Sequence, residues 1–290
     1  MSSLNRYRHS WTGGAIAALA LAATASSAPG AEQARSAIPD FSQANTAGWV
    51  SVGADWLPPA SGPGPVAFDP AHPFVSNQDA IRTGRTVTPR IADPNSPILL
   101  PWTRDAVKRA DDEVLAGKVG FEAMSTCWPA GVPGIMLFTA EPLYFVQTPK
   151  AITILYQRGP NQRHIYMNVP HSKNPKLSWY GESVGHYEGN TLVIDTIGLN
   201  DKTFVDNLRT PHTDKIHVIE RYTISDNGKT MNGTATVEDP GAFTSTWSAT
   251  QRWRRVQLPI QESVCAENNN NYNYFGLKID PIPEAAKADF

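Results

Sequence analysis

With 25 basic and 27 acidic side chains among 290 residues, the chain carries a formal charge of only −2. That balance excludes the clustered basic footprint on which nucleic-acid binding depends. An apolar fraction of 41% is enough for one large core, and β-rich folds commonly run to this length as one domain. No P-loop and no GxGxxG occurs, so the usual cradles for nucleotide cofactors are missing from the sequence.

Residues 1–31 read as an export signal. Arg6, Arg8 and His9 form its positive region, Gly13 to Ala23 its short apolar core, and small residues place cleavage within Ala25–Ala31. The apolar run falls short of the roughly 20 residues that span a bilayer, and no later stretch qualifies. Loss of Arg6 and Arg8 takes the net charge to about −4. The expectation is a periplasmic or secreted protein without a membrane span.

Residues 32–126 form an irregular wrapping arm, rich in proline from Pro58 to Pro97 and without sustained periodicity. Trp49, Trp56 and Phe74 argue that this arm lies against something apolar. It contains one helix, Thr103 to Lys118, with Thr103 as cap, Asp105 in the first turn, and Ala106, Ala110, Val114 and Leu115 at helical spacing.

Residues 127–290 read as an antiparallel β domain of eight to ten strands. Apolar segments at Ile135–Phe138, Leu143–Val146, Ile152–Tyr156 and Ile165–Val169 precede two hairpins, and Phe243–Ala249 and Arg252–Leu258 follow. The first hairpin turns at Glu188 to Thr191 and the second at Asp226 to Lys229, where Asn-Gly favours positive φ. The fold class is mostly β. A meander closes into a barrel-like (lipocalin-like) domain or folds into a sandwich, either of which removes exposed edges. Cys127 and Cys265, the two cysteines of an exported chain, are expected to form a disulfide. It would close a loop of about 138 residues, stabilise by roughly 4–5 kcal/mol, and pin the polar-aromatic tail Glu267–Tyr274 to the Cys127 loop.

Cys127-Trp128-Pro129-Ala130-Gly131-Val132-Pro133, the segment Trp179 to Thr196, Pro211-His212-Thr213, His217 to Arg221 and Glu238-Asp239-Pro240 together resemble a large family of exported bacterial proteins without an assigned activity. The family pattern runs Cys-Leu-Pro-Pro-Gly-Val-Pro, then Gly-His-Ser-Ile-Gly-Trp-Glu-Gly-Asp-Thr-Leu-Val-Val-Asp-Thr, Pro-His-Ser and His-Val-Glu-Arg. This chain departs at Glu182 (usually His), Tyr187 (usually Trp) and Asn190 (usually Asp). The resemblance covers about half of the chain and implies export and β architecture, with no activity to carry over.

Hairpin registers decide which polar groups share a face. In the first hairpin Tyr187 pairs with Leu192, His186 with Val193 and Val184 with Asp195, so Glu182, Val184, His186, Val193, Asp195 and Ile197 lie together. His186 and Asp195 become diagonal neighbours, an arrangement that fixes an imidazole tautomer and raises its basicity. In the second hairpin Tyr222 pairs with Gly233, Glu220 with Ala235, Val218 with Val237 and Ile216 with Asp239. Glu220 thus points from an otherwise apolar face, where an ionised carboxylate needs a partner or a raised pKa. A core Arg or Tyr satisfying it is the structural alternative.

Five of the seven histidines (His164, His171, His186, His212, His217) fall within one stretch, and a metal site could draw on His171, His186 and His212 with a carboxylate. No HxH or HExxH spacing supports one, and neither a metal nor another cofactor is assigned. Ser183 matches G-x-S-x-G without the strand–turn–helix of a nucleophile elbow. The leading expectation is a cofactor-independent lyase, isomerase or hydrolase acting on a small apolar or aromatic molecule inside the barrel. Glu220, His212, His186 and Asp195 are its candidate catalytic residues, and His171, Tyr222 and Trp179 its ligand contacts. The alternatives are a small-ligand-binding protein of the same shape and an envelope interaction module with a packed interior.

Overall fold

Inward and outward side chains alternate along much of the wall of this protein, and the arm completes it. The computed structural model describes residues 38–42, 47–118, 120, 127–137, 141–157 and 161–262, all within one compact unit. The expected export signal, Cys265 and the tail from Glu267 lie outside the described residues.

Nine strands close into a barrel in chain order. They are β1 (Gly48–Ser51), β2 (Leu143–Gln147), β3 (Ala151–Tyr156), β4 (Gln162–Met167), β5 (Glu182–Glu188), β6 (Thr191–Ile197), β7 (His217–Ser225), β8 (Thr230–Glu238) and β9 (Trp247–Val256). The mostly β, barrel-like expectation holds, with one correction to the antiparallel meander. β4 and β5 run parallel, Ile165 beside Ser183 and Met167 beside Gly185, so a crossover of some length replaces a tight turn between them. Both hairpin registers fall as read, including Val184↔Asp195 and Glu220↔Ala235, although Ile216 and Asp239 lie beyond the paired ends. The second turn places Asp226, Asn227 and Gly228 at positive φ, and the first needs it only at Gly189.

Three local expectations change. Of the expected strand Ile135–Phe138, residues Ile135–Leu137 are not strand: Gly134–Leu137 forms a 3-10 turn, wholly buried, whose Met136 carbonyl accepts from Trp253 Nε1 at 2.9 Å. The segments on either side of Thr250 merge into the single strand β9. The helix α2 spans Pro101–Leu115, starting two residues before Thr103, because Pro101 suits the first helical turn. Thr103 is buried and donates to the Ala242 carbonyl at 2.8 Å, so it docks the helix rather than capping it. A further short helix, α1 (Asn77–Thr83), is capped by Ser76 accepting from the Asp79 amide and ends at Gly84 in the left-handed region.

The arm is structural. β1 pairs with β9 from Gly48↔Val256 to Ser51↔Trp253 and touches β2 at Trp49↔Leu143, which closes the barrel. Phe41, Trp49, Trp56, Ile98, Leu99 and Val107 enter the core with the inward residues of the strands. Trp253, Trp247, Tyr222, Phe145 and Arg163 rank among the largest fully enclosed side chains. No helix among the described residues is long and apolar enough to cross a membrane.

Candidate functional site

Register sends Glu220 inward, and what it meets there is a filled interior. Arg163 on β4 lies along the inner wall over β5 and β6 to β7. Its Nε donates to Ser183 Oγ (3.1 Å), and its Nη2 donates to Thr196 Oγ1 (2.8 Å) and to Glu220 Oε2 (2.5 Å). Tyr222 donates to the other carboxylate oxygen at 2.6 Å, and Ser183 and Thr196 bond each other at 2.9 Å. Arg163 and Glu220 are 0% exposed. Guanidinium stays charged in proteins, so an ionised Glu220 is the form that offsets it. Burial, and then the Glu220 charge, push the Tyr222 phenol well above its ordinary value, which leaves it a fixed donor. Arg163 Nη1 is the donor here that finds no partner. Of the two sequence readings of Glu220, the geometry matches the structural alternative, a buried carboxylate satisfied by a core Arg and Tyr, here Arg163 and Tyr222. Two surface clefts of about 350 and 520 Å³ lie along α2 and between the 62–67 and 93–98 segments, and neither is lined by Glu220.

The first hairpin turns its shared Glu182–Asp195 face outward. Its inward residues are Ser183, Gly185, Leu192, Ile194 and Thr196, while Glu182, Val184, His186, Asp195 and Ile197 form the outer wall. Asp195 does not bond His186, which turns instead to Glu188 Oε1 at 3.1 Å. The Asp195 oxygen Oδ1 is shared by two other histidines. His171 Nε2 reaches it at 3.0 Å from the β4–β5 crossover, and His217 Nε2 at 2.8 Å from the start of β7. The far side of His171 faces Glu182, with Nδ1 3.1 Å from Oε1. The far side of His217 lies 3.8 Å from Glu238, beyond hydrogen-bond reach.

An alternating line thus crosses the outer wall: Glu182, His171, Asp195, His217, Glu238. His171 is 21% exposed and Asp195 36%, so the line is partly screened from water yet reachable. The Ser172 amide donates to Glu182 at 2.7 Å and is the main cause of that carboxyl lying below its usual range. A carboxylate between two imidazoles can hold, orient and exchange protons. The sequence contained half of this arrangement. Asp195 pairs with Ile219 between β6 and β7, which makes His217 its diagonal neighbour. His171 comes from a crossover that no local pattern places. Arg163 was also missed, although alternation groups it with Ile165 and Met167 on the inward face of β4.

The remaining candidates scatter. His212 is 2% exposed, with Nε2 2.8 Å from Thr203 Oγ1 and Nδ1 2.9 Å from the Thr213 carbonyl. Burial pulls its pKa down, so it is a neutral structural imidazole rather than the expected partner of Glu220. Tyr222 is a core side chain, edge-on to Trp253 at 5.6 Å. Trp179 lies edge-on to the 40% exposed Trp128 at 5.2 Å, with Lys202 Nζ 5.8 Å from its ring centre, an aromatic pair at the surface. Ser183 is buried on Arg163 and has no base beside it. His171, His186 and His212 do not converge, and among the described residues no group of three His, Cys, Asp or Glu is arranged to hold a metal ion. The expected partner of Cys127, Cys265, is outside the described residues. No family model, no curated protein and no solved structure matches the chain, so its function is argued from this geometry.

Proposed function

We propose that the chain is an exported envelope interaction module that works through its outer wall rather than through an internal cavity. The observation that carries this reading is the interior at Glu220, where Arg163, Tyr222, Ser183 and Thr196 occupy the space a substrate would need. Two surface features supply recognition chemistry: the His171–Asp195–His217 line and the Trp128–Trp179 pair beside Lys202. Tryptophans at a surface are among the side chains that carry most binding energy at interfaces, and charged groups around them set register and specificity. The expected disulfide to Cys265 would brace the loop that carries Trp128.

The test has two arms. Small apolar and aromatic compounds should give no saturable rise in Tm, since a ligand for the folded state stabilises it by mass action. A saturable rise abolished by Arg163→Met would refute the reading. Immobilised protein should also capture a discrete component of envelope extract, lose it in Asp195→Asn with His217→Gln, and keep it in the interior double variant Arg163→Met/Glu220→Leu. Equal loss in both would refute it as well.

One observation favours a second reading, acid–base chemistry on the wall. Asp195 fixes His217 through Nε2 while Nδ1 makes no hydrogen bond with Glu238, which leaves that nitrogen able to exchange a proton with a bound molecule. Turnover of any substrate that survives His217→Gln would remove this alternative.

A further inference from the structure

The crossover between β4 and β5 is held at its ends by backbone bonds, Asn168 N to the Gly185 carbonyl (2.7 Å) and Ser178 N to the Gly198 carbonyl (3.0 Å). Between them, the hydrogen bonds described from residues 169–177 to the barrel all end on two carboxylates. His171 bonds Glu182 and Asp195, and the Ser172 amide bonds Glu182. Most of this segment is exposed, with Val169 at 48% and Leu177 at 54%. Few apolar contacts and a handful of polar anchors are the marks of a segment that opens locally at low cost.

The two histidines on Asp195 differ in one respect. His217 needs only one N–H for its contacts: Nε2 lies on Asp195, and Nδ1 makes no hydrogen bond with Glu238. His171 has a carboxylate oxygen at each ring nitrogen, and ionised carboxylates only accept. A neutral imidazole carries one N–H, so it leaves the other nitrogen's lone pair against a carboxylate lone pair. Only the imidazolium donates to both.

We propose that His171, in its imidazolium form, latches the β4–β5 crossover to the barrel wall, and that its deprotonation releases the 169–177 segment and uncovers Glu182 and Asp195. The groups facing His171 are Glu182 on β5 and Asp195 on β6. Behind them stand His217 on β7, through the shared oxygen, and Glu238 on β8. Lys173 and Lys176, both exposed, are the other charges of the loop itself. Glu182, held below the usual carboxylate range chiefly by the Ser172 amide, stays ionised in mildly acidic solution, so the latch is closed there. It opens as pH rises, because the closed state binds the extra proton. The latch shares His171 and Asp195 with the proposed recognition line, but its pH dependence is read without any partner.

Hydrogen exchange of the Ser172 amide, corrected for intrinsic rate, reads the latch in the full chain. Its protection should fall at least about tenfold between pH 5.5 and 8.0, the equilibrium equivalent of one charge-assisted bond. His171→Gln should show the low protection at both pH values, and His217→Gln should retain the pH dependence. Side-chain 15N spectra of the wild type should show both His171 nitrogens protonated at pH 5.5. Protection that is level with pH, or that rises with it, overturns the latch, as does loss of the dependence in His217→Gln. Envelope capture can fail while this dependence persists, which separates the latch from the recognition reading.

Discussion

Removing either member of the Arg163–Glu220 pair tests whether the barrel interior is a satisfied core. Both side chains are 0% exposed, and the bond between them is 2.5 Å. Glu220→Leu leaves a guanidinium buried with only the Ser183 and Thr196 hydroxyls, and Arg163→Met leaves a carboxylate with only the Tyr222 hydroxyl. Breaking a buried pair from one side costs about 3–5 kcal/mol, because the survivor remains uncompensated. For a domain of this size that is a fall in Tm of roughly 6–20 °C. Arg163→Met/Glu220→Leu removes both charges and fills their place with apolar atoms. It should lie at least about 2 kcal/mol above the sum of the single losses, with the residue of the cost falling on the orphaned Tyr222 hydroxyl. Urea titrations of the four proteins close the cycle. Single losses below about 1 kcal/mol, or strictly additive effects, would refute the claim that these charges neutralise each other inside a dry core.

Gly233→Ala should cost about 1–3 kcal/mol, read from the urea midpoint: an added Cβ would stand 2.6 Å from Tyr222 Cε1 and 2.7 Å from Trp253 Cζ3, where overpacking forces the rings apart. Asp206 is buried, with Oδ1 accepting from the Leu208 and Thr210 amides and Oδ2 unpartnered, and burial raises its pKa to about 6. A carboxyl that binds its proton more tightly when folded lowers stability as pH rises from about 4 to about 6. Asp206→Asn should therefore gain on the wild type by up to about 3 kcal/mol between pH 4 and pH 7.5, and a constant difference across that range would count against it. Peptide mapping should recover Cys127 linked to Cys265, with a loss of roughly 4–5 kcal/mol in Cys127→Ser; two free thiols in the native protein would exclude the bridge.

Local chemistry made the hairpins legible. Asp226-Asn227-Gly228 fixes a turn, the turn fixes a register, and each pairing from Val218↔Val237 to Ile224↔Met231 follows. α1 carried a similar signal, Ser76 three residues before Asp79 with Gly84 at its end, hidden in a proline-rich segment. The strand that closes the barrel was not legible. β1 has four residues, and nothing in Gly48–Ser51 says that its partner is a strand some two hundred positions later. Its energy comes from burying Trp49 and pairing β9, both non-local.

The face of the first hairpin was not legible. Both of its faces carry apolar residues, Val184, Val193 and Ile197 on one and Leu192 and Ile194 on the other, so hydrophobicity alone does not choose between them. The inward face holds Leu192 and Ile194 together with Ser183 and Thr196, whose hydroxyls accept from the guanidinium that β4 sends inward. A buried cation thus gives small polar residues a place in the core, and with that face inward Glu182, His186 and Asp195 stand outside. Were Arg163 apolar, the two hydroxyls would lose their partner, while Leu192 and Ile194 would still draw the same face inward. The face of one hairpin therefore settles two things at once: its inward hydroxyls complete the Arg163–Glu220 pair, and its outward Asp195 is where the histidines of the crossover and β7 meet.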